Sequence, residues 1–216
     1  MKSSTNSQSL SNDSMTAQTD MGLDERRRQL NVLQHEVSSC TCCDELVDNR
    51  TKTVFGVGNP QARLVFFGEA PGADEDQQGE PFVGRAGKLL NDIISQGMGL
   101  TRNDVYIMNV VKCRPPGNRN PTSAEAVNCR PFFERQFEII RPEFICCLGA
   151  VAATTLLAVN VSIGSLRGCL HNYRGIRVLA TYHPAYLLRN PAAKKEVWKD
   201  IQLLMAEMGL TAPGEK

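Results

Sequence analysis

Between residues 63 and 208, four apolar runs of strand length alternate with helix-patterned segments. That alternation leaves few architectures open, because strands joined by helical crossovers form a mostly parallel sheet covered by helices on both faces. The runs are RLVFFG at 63–68, VYIMN at 105–109, FICCL at 144–148 and RVLATY at 177–182. They are apolar at consecutive rather than alternate positions, the pattern of strands buried on both sides. Residues 84–98, 123–140 and 149–159 read as the intervening helices, and 194–208 as a last one. Pro131 is expected to interrupt or restart the second, since it lacks the backbone N–H that an inner turn uses. Upstream, Leu23, Leu30, Leu33 and Val37 recur at helical spacing and predict a short amphipathic helix leading to Cys40. The fold class is therefore α/β, a three-layer α/β/α sandwich.

A chain of 216 residues with 42% hydrophobic content can bury one sizeable core but not two ordinary domains. Residues 1–21 are rich in Ser, Asn, Thr and Gln without apolar periodicity, so a disordered tail is expected there. The domain then spans 22–210, with a short C-terminal tail at 211–216. No stretch approaches the ~20 apolar residues of a membrane span, and the polar N-terminus lacks a secretory apolar run. A soluble, cytoplasmic protein is expected. In that reducing compartment, eight cysteines argue for metal ligation and buried thiols over a disulfide framework. Net charge is +1, yet residues 101–216 carry 15 Lys+Arg against 9 Asp+Glu, a surplus of 6. Such a surplus suits a phosphate-backbone partner and equally suits ordinary solvated faces.

Ligands of open parallel sheets bind beyond the carboxyl ends of the strands. Those ends carry GEAPG at 68–72, Asn109, Gly149 and His183, so Glu69, Asn109 and His183 are expected to converge on one crevice. The GEAPG turn and the ADEDQQGEPFVGRAG that follows are neither a Walker loop nor a dinucleotide-binding glycine fingerprint. Gly and Pro permit a tight turn whose N–H groups approach a ligand. Its carboxylates Glu69, Asp74, Glu75 and Asp76 suit a metal, a water nucleophile or a solvated acidic loop. Phe82, in polar company, is a hydrophobic plug or an aromatic platform. Cys40 and Cys43 form a CxxC bite that Cys113 and Cys129 complete to four thiolates, a set that zinc and a 4Fe-4S cluster both accept. Cys42 is an adjacent alternative, Cys146 and Cys147 sit in an apolar run and read as core, and Cys169 has no partner at ligand spacing. After His183, the Leu187-Leu188-Arg189 segment suits either a core-facing helix start or a wedge pushed into a base stack.

Taken together, the CxxC pair, GVGNP at 56–60, GEAPGADED at 68–76, GEPFVGRAG at 79–87, NVVKCRPPGNRNP at 109–121 and YHPAYLLRNP at 182–191 closely resemble the family 4 uracil-DNA glycosylases. This is the iron-sulfur branch of that superfamily, and the resemblance runs from about Cys40 to Met208. It implies a three-layer fold with a four-stranded, mainly parallel sheet, and a 4Fe-4S cluster on Cys40, Cys43, Cys113 and Cys129. It further implies that uracil, flipped from single- or double-stranded DNA, is hydrolysed from its sugar to leave an abasic site for base-excision repair. The backbone of Gly68, Glu69, Ala70 and Gly72 would hold the base and Phe82 would stack on it. Asn109 would read N3 and O4, a donor–acceptor pattern that cytosine reverses. His183 would donate to O2 as negative charge develops there, while Leu187 and Arg189 would fill the vacated stack and hold phosphate.

Some branches of the superfamily carry an Asp where this chain has Ala70. Glu69 and Glu75 are therefore the candidates for activating water, and Glu75 is also a candidate for excluding the thymine methyl. The RPPGNRNP loop at 114–121 lacks the RRIH segment of the branch that crosslinks to uracil, and no lyase lysine stands out. A monofunctional turnover enzyme is expected, acting as a monomer. The competing readings are a non-catalytic iron-sulfur module that binds nucleic acid or a polymerase, and a nucleotide-handling enzyme with structural zinc.

Overall fold

The computed structural model describes residues 21–211 and 213. An arm of two helices, α1 (Leu23–Ser38) and α2 (Asp44–Asn49), precedes a two-residue strand, β1 (Val57–Gly58). Then come β2 (Leu64–Gly68), α3 (Ala73–Gln78), α4 (Arg85–Asp92) running into a π-helical turn (Ile93–Gly97), and β3 (Tyr106–Asn109). A 3-10 turn (Pro116–Asn118) leads to α5 (Ser123–Ile140), β4 (Phe144–Leu148), α6 (Ala150–Leu157), α7 (Ile163–Leu166), β5 (Leu170–Tyr173) and β6 (Ile176–Thr181). Two helices follow, α8 (Pro184–Arg189) and α9 (Lys194–Met208).

The strand order is β1-β3-β2-β4-β6-β5. Its central strands β3, β2, β4 and β6 are parallel, and they are the four apolar runs. Flanking them, β1 pairs antiparallel with β3 and β5 with β6, so the expected four-stranded sheet has six strands. Edge strands leave no apolar run in a sequence: β1 is two residues long, and β5, LHNY, has no fully buried residue. Central residues divide by parity, as the two-residue strand period requires. Val65, Phe67, Met108, Ile145, Cys147 and Val178 share one core with α1, α5 and α6. Leu64, Phe66, Ile107, Phe144, Cys146 and Leu179 share the other with α4 and α9. This is the three-layer sandwich, and Cys146 and Cys147 lie in its two cores as expected.

The unbroken α5 runs straight through Pro131, without the expected restart. Pro131 deprives the Val127 carbonyl of a helical donor, but Val127 is 63% exposed, on a side of the helix where solvent can offset the missing bond. A capping box fixes the start of α5: Glu125 N–H donates to Thr122 Oγ1 at 3.2 Å, and Thr122 N–H to the Glu125 carboxylate at 2.7 Å. The tail expected over 1–21 lies outside the described residues except for Met21, which packs on the first core and accepts a hydrogen bond from Arg26 Nε at 2.9 Å. Of 211–216, only Thr211 and Pro213 are described. Among the described residues, no helix is long and apolar enough to cross a membrane.

Connections leave β2 toward β3 on one side, then return through α5 to β4 on the other. The order therefore reverses at β2, and a crevice opens beyond the strand ends at such a point.

Candidate active site

Beyond the carboxyl ends of β2, β3 and β6 lies a cavity of about 400 Å³, lined by Glu69, Asn109 and His183 among others. The β2–β3 ladder continues past its last pair, for Val110 N–H donates to the Gly68 carbonyl at 2.9 Å and Val111 N–H to the Glu69 carbonyl at 3.2 Å. These bonds stitch the GEAPG turn to the Asn109 segment. Gly68 is buried against two of the lining residues, Asn109 and Phe82. A Cβ there would stand 2.3 Å from Asn109 Oδ1 and 2.7 Å from the Phe82 ring, so any side chain would displace both.

Asn109 is 1% exposed, and its Oδ1 has no partner among the described residues. An unpaired buried acceptor costs about 1–3 kcal/mol, and in a cavity wall that cost is recovered by a ligand N–H. Phe82 is buried with φ 54°, a left-handed conformation that costs a side-chain-bearing residue about 1–2 kcal/mol. Its neighbours impose it. The Arg102 guanidinium donates to the Pro81 carbonyl at 2.9 Å and the Phe82 carbonyl at 3.3 Å. On the other side Gly87 brings α4 so close that a Cβ would meet the Phe82 oxygen at 1.9 Å.

The two candidate carboxylates differ in their surroundings. Glu75 Oε2 accepts the Gly72 N–H at 3.1 Å, and its Oε1 accepts the N–H groups of Val83 and Gly84 at 3.0 Å each. Both oxygens are committed to backbone donors, and the side chain braces the GEAPG turn against the Phe82 loop. Glu69 has no side-chain hydrogen-bond partner among the described residues, and burial raises its pKa above the ordinary carboxylate value. Of the two, only Glu69 has its carboxylate oxygens uncommitted among the described residues.

His183 caps α8, its Nδ1 accepting the Ala185 N–H at 3.1 Å. With Nδ1 so engaged, the proton of the neutral ring belongs on Nε2. Burial of the ring, helped by the positive charge of Arg189 and opposed by Glu75, lowers its pKa to about 4. At neutral pH His183 is thus an uncharged Nε2–H donor. Its ring centroid stands 5.5 Å from that of Phe82.

A second, smaller pocket is lined by Cys40, Cys42, Cys43, Cys113 and Cys129, with Arg50 and Asn128. Arg50 donates to Cys113 Sγ at 3.1 Å and Asn128 to Cys43 Sγ at 3.4 Å. Burial raises the Cys113 thiol pKa and pushes Cys129 up to about 12, with the Lys112 backbone N–H and ammonium opposing. Among the described residues, no three His, Cys, Asp or Glu side chains form a ready single-ion site. The donor set of the pocket is nonetheless all sulfur, with N–H donors facing the sulfurs, which is chemistry suited to a thiolate-held cluster. Cys42 is the most exposed of the five.

The sequence profile of the Uracil DNA glycosylase superfamily matches residues 55–202, a span that includes every residue lining the larger cavity. Over 192 residues the chain is 42% identical to the type-4 uracil-DNA glycosylase of Archaeoglobus fulgidus, covering 85% of this chain and 96% of that one. This chain belongs to the uracil DNA glycosylase superfamily. Its likeness to the type-4 glycosylases extends to those of Thermotoga maritima, 45% identical over 82% of this chain and 93% of that one, and Saccharolobus solfataricus, 44% over 80% and 83%.

In this superfamily member, the Leu187 side chain is 1% exposed and packs in the second core with α9. Of the two readings of this segment, the core-facing one fits Leu187, which the turn of α8 points inward, and in this conformation the side chain is not exposed as a wedge. The next residue, Leu188, is 39% exposed, and Tyr186 is 38% exposed. Arg189 is exposed and lines the cavity. One wall was not foreseen: Asn118, Arg119 and Asn120 come from the loop between Cys113 and Cys129. Arg119 anchors it, pairing with Glu125 at 2.7 Å and Glu45 at 2.8 Å. The available signal was a Pro/Gly/Asn-rich turn following a strand whose end already carried Asn109.

Proposed function

We propose that this protein is a monofunctional uracil-DNA glycosylase, the activity named for its type-4 relatives. The observation that carries this reading is Asn109 Oδ1, a buried acceptor left unpaired beside Gly68, with the Phe82 ring edge next to it. Uracil offers N3–H to that oxygen and O4 to the amide N–H. Cytosine offers the reverse, and a site built for one pattern rejects the other by leaving polar groups unpaired.

A base flipped from the stack and laid on Phe82 leaves its O2 for His183 Nε2–H. As the C1′–N1 bond breaks, its electron pair moves into the uracil ring and O2, and positive charge builds on the sugar. A preset neutral donor stabilises the negative charge on O2 without giving up its proton. Water then bonds to C1′ and its proton passes to Glu69, the unpaired carboxylate. Glu75 keeps the turn and the Phe82 loop in register. At the mouth, Arg189 meets phosphate and exposed Leu188 enters the space that the base leaves. Cys40, Cys43, Cys113 and Cys129 are the ligands for a 4Fe-4S cluster, which when bound cross-links the helical arm to the segment between β3 and α5.

The test is to incubate the protein with uracil-containing and matched thymine-containing oligonucleotides and measure alkali-labile sites. Uracil-specific cleavage is expected. No product from single or double strands, with the cluster absorption intact, would overturn the reading in favour of a binding module.

A further inference from the structure

We infer that Tyr186 is a stacking platform for the nucleobase next to the flipped uracil, a second base subsite at the mouth of the cavity. This rests on the glycosylase reading above. Tyr186 lines the same cavity as Phe82 and His183, yet 38% of it is exposed. An exposed tyrosine on a loose segment would mean little, but this ring is held from behind. It lies against Tyr182, with centroids 4.9 Å apart and planes inclined by 32°. The Arg167 guanidinium in turn lies over Tyr182, 4.9 Å from its centroid. Arg167 is fixed by the buried Asp200 and by Glu196, at 3.0 Å each. Asp200 also accepts the Thr181 hydroxyl at 2.6 Å, which ties the foot of the column to the end of β6, just before His183.

Three planar groups therefore form a column from the sheet to the surface, and among the described residues the outermost ring has no ring partner but Tyr182. Such a platform has little motion left to lose on binding, and it accepts any base because every base has a π face. Its position supplies the occupant. His183, Tyr186 and Arg189 follow one another at three-residue steps and all line the cavity, so one helix face presents in order a donor, an aromatic ring and a cation. Uracil at His183 and phosphate at Arg189 place the neighbouring base at Tyr186. A base stacked there has left its own strand's stack, so the subsite favours single-stranded DNA over duplex.

The test compares wild type, Tyr186→Phe and Tyr186→Leu on single-stranded uracil oligonucleotides, with natural bases or abasic spacers flanking the uracil. For natural flanks, Tyr186→Leu should raise KM about tenfold, equivalent to roughly 1.4 kcal/mol, within the range for base–aromatic stacking. Single-turnover excision at saturation and the thermal midpoint should hold, and Tyr186→Phe should behave as wild type. With abasic spacers the difference between variants should vanish. A 2-aminopurine beside the uracil should lose fluorescence on binding wild type and Tyr186→Phe but not Tyr186→Leu. Equal KM and equal quenching across the three proteins would overturn the platform and leave the glycosylase reading standing. Absence of uracil release by wild type would overturn that reading and the platform with it.

Discussion

The uracil cavity and the cysteine pocket lie in one domain but are held together differently. The cavity is a continuation of the sheet: its turn is bonded to the β3 end, Glu75 and Arg102 grip the Phe82 loop from two sides, and His183 follows β6. Its unfavourable features, the left-handed Phe82 and the orphaned Asn109 oxygen, are imposed by this scaffold. The cysteine pocket gathers thiols from the arm, the segment after β3 and α5, joined by side-chain bonds such as those of Arg50 and Asn128. Burial raises the thiol pKa of both Cys113 and Cys129. The difference teaches that the cavity is braced by the backbone of the sheet, whereas the cysteine region is held by side-chain contacts between separate segments.

If so, removing a thiol should act on stability before chemistry. Cys129→Ser is expected to abolish absorption near the blue and lower the thermal midpoint by about 10 °C or more, as a loss of several kcal/mol does in a domain of this size. An unaltered spectrum would remove Cys129 from the ligand set. His183→Ala should show the opposite pattern, with single-turnover excision falling about 10²–10³-fold while DNA binding and the midpoint hold. An unchanged rate would take His183 out of the mechanism.

Leu187→Ala should cost about 2–5 kcal/mol in denaturant unfolding, and Leu188→Ala less than about 0.5 kcal/mol while weakening excision from duplex DNA. The converse result would restore Leu187 as the wedge. Within the cavity, Glu69→Gln should slow excision about 10²-fold. Glu75→Gln should act more through a lowered midpoint, and equal rate losses without a stability change would undo the separation of the two carboxylates.

The last expected effect is of pH. Because His183 titrates near 4 when folded and near 6.5 when free, the unfolded chain takes up the proton first on acidification. The stability contributed by the neutral ring is therefore full above about pH 6.5 and lost as pH falls toward 4. Between pH 5 and 8, kcat/KM should show no histidine limb; one near 6.5 would mean that the ring is not held as described.

Much of this was legible along the chain, and for definable reasons. Strands buried on both faces require continuous apolar runs, so the four central strands could be read directly, and a parallel sheet sends its strand ends to one side, so Glu69, Asn109 and His183 were expected together. The edge strands were not legible because they are short and partly exposed. Pro131 misled because the cost of a missing helical bond depends on whether water reaches the freed carbonyl.

The amino-acid sequence alone determined the layer architecture and the convergence of the strand-end residues, since both follow from local pattern and spacing. Only the tertiary structure decided that Glu75 braces while Glu69 stays unpaired, that Leu187 turns inward and Leu188 outward, and that Arg167, Tyr182 and Tyr186 form a column. Those outcomes depend on which distant residue occupies a given face or presents a given N–H, a property of contacts between segments that no single segment contains.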